Sequence, residues 1–102
     1  MIDFKDWSKL EIRIGKTVEA EKIENSDKLI KLQVDLGKEK RQIVAGIAEF
    51  FEVKDLIGKE IPILVNLEPR KLRGVESQGM ILAADVDGKP VLLHPEKEVP
   101  AG

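Results

Sequence analysis

The residues best suited to binding a charged ligand are concentrated in one stretch, residues 66–80. It carries three cations, two glycines and a Ser-Gln pair between two apolar runs: Arg70, Lys71, Arg73, Gly74, Ser77, Gln78 and Gly79. The stretch is neither periodic nor apolar, so we expect a loop, and loops on a rigid scaffold often carry binding residues. Guanidinium and ammonium groups, together with Ser and Gln donors, suit an oxyanion-rich partner better than a small apolar ligand.

No other residues form a set that could perform catalysis or hold a metal. The chain has no cysteine and one histidine, His94, so it lacks the usual ligands of a zinc site. Residues 74–79 resemble the start of a phosphate-binding loop, but Met80 and Ile81 stand where Lys and Ser or Thr are required. Residues 85–88 lack the later ligands of a calcium loop. We therefore expect no catalytic site, no metal and no cofactor.

Composition narrows the class of partner. The net charge is −2, which disfavours a broad surface that coats nucleic acid, so anion binding must come from a local cluster. Only four aromatic residues occur, too few for a typical single-strand binder, which stacks bases on aromatic rings. The chain has no apolar run of the roughly 18 residues that a membrane helix needs, and its N-terminus lacks an apolar signal core. We expect a cytoplasmic protein with no membrane partner and one domain over residues 1–102.

Strand periodicity dominates the hydrophobic pattern. Apolar and polar residues alternate in the first two predicted strands, and shorter apolar runs predict the others. The predicted strands cover residues 10–21, 30–36, 40–44, 60–66, 80–84 and 91–93. Between the third and fourth strands the period changes over residues 46–58, which predicts one or two short helical turns.

Single residues refine this pattern. The apolar parity of the first strand breaks just after Gly15, which predicts a bulge or bend there, and Pro62 favours an edge or a bulge in the fourth strand. Asp87-Gly88 predicts a hairpin turn. A short helical segment is expected within residues 1–9, and a polar tail over residues 94–102.

Three strands, a short helix and two or three further strands suit a small closed barrel, which removes exposed sheet edges. The predicted fold class is all-β: an OB-fold, a five-stranded Greek-key barrel with a short helix between strands three and four. An OB-fold binds ligands with its strand 2–3 face and the loops after strands one and four. In this chain those loops are residues 24–28 and 67–78, and both carry cations.

Five segments, spread in order over nearly the whole chain, resemble a known family. The longest runs from Asn66 to Ala84, and the shorter ones are residues 10–16, 25–29, 34–37 and 41–46. They are similar to the tRNA-binding domain found at the C-terminus of methionyl-tRNA synthetases. The same domain occurs in stand-alone structure-specific tRNA-binding proteins and in synthetase-associated cofactors.

The resemblance implies a non-catalytic OB-fold that binds tRNA by its shape and assists a methionyl-tRNA synthetase. It also implies frequent homodimerisation. Carried over by position, the tRNA-binding residues would be Lys28, Asn66, Lys71, Arg73, Ser77, Gln78 and Met80, with Arg41 as a weaker addition. One departure is Glu68, a position where a cation is common in the family. Few aromatic residues and a compact basic segment suit a folded RNA, whose recognition needs few stacking rings.

One alternative stays open at this point. A related family of OB-fold dimers acts as an export-related chaperone, so the chain could instead be a protein-interaction module. The feature that would favour this alternative is an exposed apolar groove between two protomers.

Overall fold

The computed structural model describes residues 1–102, and strands make up most of its regular structure. Two helices are present, α1 (Phe4–Trp7) and α2 (Val53–Leu56). The strands are β1 (Ile12–Lys22), β2 (Ile30–Asp35), β3 (Lys40–Ala45), β4 (Glu60–Leu64), β5 (Arg70–Leu72), β6 (Val75–Ser77), β7 (Met80–Ile81), β8 (Ala83–Val86) and β9 (Lys89–Leu92).

The strands form one five-stranded sheet and two hairpins. The sheet has the order β3-β2-β1-β4-β7, and β5–β6 and β8–β9 are separate two-stranded pairs. The sheet curls into a nearly closed antiparallel barrel, and α2 lies between β3 and β4 along the chain. The predicted OB-fold is therefore confirmed. No helix of the chain is both long and apolar enough to cross a membrane.

The core follows from the alternation in the sequence. Ile30, Leu32 and Val34 of β2 are each at most 1% exposed, while the residues between them are half-buried. A strand places successive side chains on opposite faces, so this spacing directs every second residue into the barrel. Leu56, the one buried residue of α2, is fully enclosed and packs into the same cluster. The short helix thus contributes one apolar side chain to the core.

Strand β1 is long enough to pair with two neighbouring strands. Its first half pairs with β4 and its second half with β2, and the register to β2 shifts between Thr17 and Glu19. The bulge was expected just after Gly15 and lies instead around Val18. Gly15 is required for a different reason: a Cβ there would stand 2.3 Å from Cγ1 of Val34, inside the barrel.

Pro62 lies at the end of the β4–β7 pairing, so its missing N–H removes a hydrogen bond only there. The Pro62 carbonyl accepts a hydrogen bond from the Leu82 N–H at 3.0 Å, just past the end of β7. In an extended strand the N–H and C=O of one residue point to the same side, so the missing donor also faces this end of the pairing. The strand expected over residues 80–84 is accordingly divided at Leu82 into β7 and β8.

Residues 94–102 pack along the barrel. Nδ1 of His94 lies 2.8 Å from the Glu60 carbonyl oxygen, and the Val99 N–H donates to the Glu60 carboxylate at 3.3 Å. The Gly102 N–H donates to the Ile14 carbonyl at 2.8 Å, on the part of β1 that β2 does not pair. The single histidine therefore has a structural partner.

Candidate nucleic-acid interface

The basic stretch that was expected to be a loop is a β-hairpin. Strands β5 and β6 pair with Lys71 opposite Glu76 and Leu72 opposite Val75. The connecting residues, Arg73 and Gly74, both have positive φ, 54° and 80°, as a type I′ turn requires. Sequence reasoning missed the hairpin because three-residue strands are too short for periodicity. Arginine, in addition, is not a usual residue of this turn.

The hairpin presents cations in three directions. Arg70 and Leu72 share the face that lies over the barrel, Lys71 projects from the opposite face, and Arg73 forms the tip. All three cations are exposed, and none takes part in an ion pair of the structure. Their positive charges are therefore available to an anionic partner.

The backbone of Lys28 is bonded to the segment that follows β3. It is exposed, in the connection between β1 and β2, and its carbonyl accepts a hydrogen bond from the Ala48 N–H at 2.9 Å. This bond holds Lys28 next to Ile47, which borders the same surface groove as Arg70 of the hairpin. The connection that carries Lys28 is thus bonded to the segment that borders the groove beside the hairpin.

Ser77 and Gln78 close the barrel. Ser77 is 5% exposed, and its hydroxyl accepts from the Val44 N–H at 2.9 Å and donates to the Gly79 carbonyl at 3.0 Å. The Gln78 N–H donates to the Gln42 carbonyl at 2.8 Å, and Oε1 of Gln78 accepts from the Gln42 N–H at 3.1 Å. These bonds join β3 to the end of the hairpin, where no regular strand ladder forms. We call them the closing seam.

Asn66 and Arg41 also have partners within the chain. Oδ1 of Asn66 accepts from the Glu11 N–H at 2.8 Å, and its Nδ2 donates to the Lys9 carbonyl at 2.6 Å, which ties the N-terminal segment to the end of β4. Arg41 donates to the Val65 carbonyl and is paired with Glu39.

The eight predicted site residues therefore divide into two groups. The exposed residues without a side-chain partner are Lys28, Lys71, Arg73 and Met80. The residues whose side chains are engaged within the chain are Arg41, Asn66, Ser77 and Gln78. Ser77 was expected to face the ligand; in the structure its hydroxyl is buried and already accepts one hydrogen bond and donates another.

A groove of about 280 Å³ lies between the hairpin and the barrel. We call it the hairpin groove. It is bordered by Gly46 and Ile47 after β3, by Arg70 and Leu72 of β5, and by Met80 of β7, and most of its lining is apolar. Met80, which is 47% exposed, lies at its mouth. No aromatic side chain borders it.

A family model described as "Putative tRNA binding domain" matches residues 12–102. The chain belongs to the tRNA-binding domain family. The methionine–tRNA ligase of Methanothrix thermoacetophila is 54% identical over 102 residues, which is 100% of this chain and 15% of that enzyme. The chain is thus a tRNA-binding domain homologous to the C-terminal domain of methionyl-tRNA synthetases, and it spans about 15% of the length of these relatives.

Two solved structures share the fold over the full chain. A MetRS-related protein from Pyrococcus horikoshii has a TM-score of 0.95 and 44% identity, with 100% of this chain and 94% of that chain covered. The chaperone CsaA from Bacillus anthracis has a TM-score of 0.89 and 34% identity, with 100% and 95% covered. The chain is therefore similar in structure both to a MetRS-related protein and to a protein named as a chaperone.

Proposed function

We propose that this domain binds the folded body of tRNA through the exposed cations of the β5–β6 hairpin and Lys28. The observation that carries the proposal is the position of Lys71 and Arg73, exposed and free of ion pairs on a hairpin anchored by the closing seam. Positively charged side chains hold phosphate oxygens and set the register of a nucleic acid without reading its sequence. In this arrangement Arg41, Ser77 and Gln78 position the hairpin, Asn66 holds the N-terminal segment, and the four exposed residues meet the RNA.

Recognition in this proposal depends on shape. A folded RNA presents phosphates and 2′-hydroxyls at fixed spacings, whereas binders of linear strands rely on aromatic platforms. None of the chain's four aromatic residues borders the hairpin groove, so it offers no platform on which successive bases of a linear strand could stack.

The domain would act in the cytoplasm, beside a methionyl-tRNA synthetase, with no catalytic role of its own. The support is that its relatives named methionine–tRNA ligase contain it as about 15% of their length. An additional cationic surface of this kind raises the local concentration of tRNA near the partner enzyme, because the second binding event becomes intramolecular.

A titration against three RNAs tests the proposed function. The domain should bind tRNA more tightly than a linear strand of equal length and more tightly than a plain RNA duplex, and binding should weaken as salt increases. Equal affinity for the linear strand would contradict recognition by shape. No affinity for any RNA, combined with suppression of aggregation of an unfolded client in light scattering, would favour the chaperone function that the CsaA neighbour suggests.

We also infer that the domain forms a homodimer through its N-terminal segment. Ile2 is 70% exposed, Phe4 79% and Trp7 49%, so helix α1 buries none of its residues against the barrel. Large exposed apolar side chains in one segment are typical of an interaction site. The segment is nevertheless held in place, because Asn66 donates a hydrogen bond to the Lys9 carbonyl and accepts one from the Glu11 N–H.

The double substitution Phe4→Ser with Trp7→Ser should convert the dimer to a monomer, measured by sedimentation equilibrium at micromolar concentration. The reason is that these side chains supply the apolar area that association would bury. Ile57→Ser, which removes another apolar side chain that is 45% exposed, is the matched control and should leave the assembly unchanged. A wild-type protein that sediments as a monomer would refute the dimer.

A further inference from the structure

Gly46 is a glycine that the fold does not require. Six of the eight glycines have a φ in the left-handed region, and Gly15 is packed against the barrel interior. Gly46 has neither constraint: its φ lies outside that region, and a Cβ added there would meet no atom within 4 Å. Glycine lowers the stability of the folded state relative to alanine, so Gly46 destabilises the fold and no feature of the fold requires it.

The backbone of Gly46 is also open to a ligand. Its N–H and C=O take part in none of the chain's turn, loop or side-chain hydrogen bonds, although β3 ends only one residue earlier. Gly46 borders the hairpin groove, between Ile47 on one side and the hairpin on the other. A flat group placed over Gly46 would therefore find an unobstructed backbone donor and acceptor at the edge of an apolar surface.

The charges around the groove indicate what kind of group this is. Arg70 borders the groove as its one cation, so an anion attached to the apolar group would be favoured there. Glu68, on the same lining, is the one acid and can accept from an amino or imino N–H. An apolar side chain of a peptide would need neither the cation nor the acid. A nucleobase with its phosphate uses all of them: an apolar face, donors and acceptors on its edge, and a negative charge.

The size of the groove agrees with a single group of this kind. Small-molecule sites generally span roughly 300–1,000 Å³, and the hairpin groove, at about 280 Å³, lies just below that range. An extended peptide would need a longer groove to place alternate side chains.

We propose that the hairpin groove is a nucleobase pocket, in which one unstacked base of the bound RNA lies over Gly46 between Ile47 and the Leu72–Met80 side. The base edge bonds to the Gly46 N–H and C=O, and its phosphate lies by Arg70. This inference rests on the proposed tRNA binding and adds to it: the hairpin cations hold the RNA body, and the pocket accepts one base that is free of pairing.

Nucleoside 5′-monophosphates test the pocket without RNA. In methyl NMR of the domain, at least one of AMP, GMP, CMP and UMP at millimolar concentration should shift the signals of Ile47, Leu72 and Met80. Ribose 5-phosphate, which has the phosphate and lacks the base, should not. Equal shifts with ribose 5-phosphate, or none with any nucleotide, would overturn the pocket.

Substitutions at Gly46 provide a second test of the nucleobase pocket. Gly46→Ala and Gly46→Val should fold with a Tm no lower than that of the wild type, since the Cβ enters open space. They should abolish the nucleotide shifts, and Gly46→Val should weaken tRNA binding about tenfold, which corresponds to about 1.4 kcal/mol. The salt slope should stay that of the wild type because no cation is removed.

Wild-type binding to tRNA separates the two proposals. If the wild type binds tRNA and Gly46→Val binds equally well, the pocket is refuted and the proposed function stands. If the wild type binds no tRNA, the proposed function fails, whereas the nucleotide titration still decides the pocket.

Discussion

Replacing Lys71 and Arg73 together by alanine is expected to weaken tRNA binding roughly twentyfold at 0.15 M salt. Each lost phosphate contact should also flatten the log–log salt dependence by about 0.7–0.9, so the pair should reduce the slope by roughly 1.4–1.8. Both side chains are exposed and free of ion pairs, so their removal costs the fold no internal bond. Binding titrations at four or more salt concentrations measure both quantities.

Two controls isolate the hairpin charge in this experiment. Lys59→Ala with Lys97→Ala removes the same net charge from exposed positions outside the hairpin and should alter the slope much less. Arg73→Asn removes the cation but keeps the turn, because asparagine tolerates the positive φ of 54° at this position. If Arg73→Asn binds like the wild type while Arg73→Ala does not, the turn conformation is responsible and the phosphate contact is refuted.

Replacing Ser77 by alanine should destabilise the domain by about 1–3 kcal/mol, the usual cost of leaving a buried donor without its partner. The Val44 N–H, bonded to the Ser77 hydroxyl at 2.9 Å, would lose its acceptor, and the Gly79 carbonyl would lose a donor. For a chain of this size the change corresponds to a decrease in Tm of about 5–15 °C, which differential scanning calorimetry can measure.

The same variant decides between two roles for this side chain. If Ser77 positions the hairpin, the folded fraction of Ser77→Ala at low temperature should keep the tRNA salt slope of the wild type. Ser8→Ala, at an exposed serine bonded only to the Lys5 carbonyl, is the matched control and should leave Tm nearly unchanged. An unchanged Tm for Ser77→Ala together with weakened tRNA binding would mean that the hydroxyl contacts RNA directly.

The barrel could be predicted because its signals are local. Alternation over β2 specifies which of its faces is buried, and this face is the same whatever the strand pairs with. In β1 the alternation was misleading, because Gly15 and Thr17 are buried whereas Ile12 is 38% exposed. The Asp87-Gly88 turn was predicted because its signal is also local, and both residues have the positive φ, 52° and 79°, that the hairpin needs. The family assignment was also available from the chain alone, since its longest matching segment is continuous.

The state of each polar side chain in the candidate site was decided by the tertiary structure. The sequence shows that three side chains can form hydrogen bonds: Ser77, Gln78 and Asn66. Whether they are free depends on partners 33, 36 and 55 residues away in the chain. Sequence patterns contain no information on such pairings, because a hydroxyl that faces a ligand and one that closes a barrel are the same residue type.

Gly15 and Gly46 show the same division. The sequence predicted a special backbone at Gly15, but only the barrel shows that the Val34 side chain excludes a Cβ there. Nothing in the sequence distinguishes Gly46 from a turn glycine, and only the folded chain shows the open space above it. Amino-acid order determined the long strands, the buried face of β2 and the family, since these follow from periodicity and continuous segments. Folding determined which polar groups are used internally and which remain for a ligand, because that depends on distances between residues far apart in the chain.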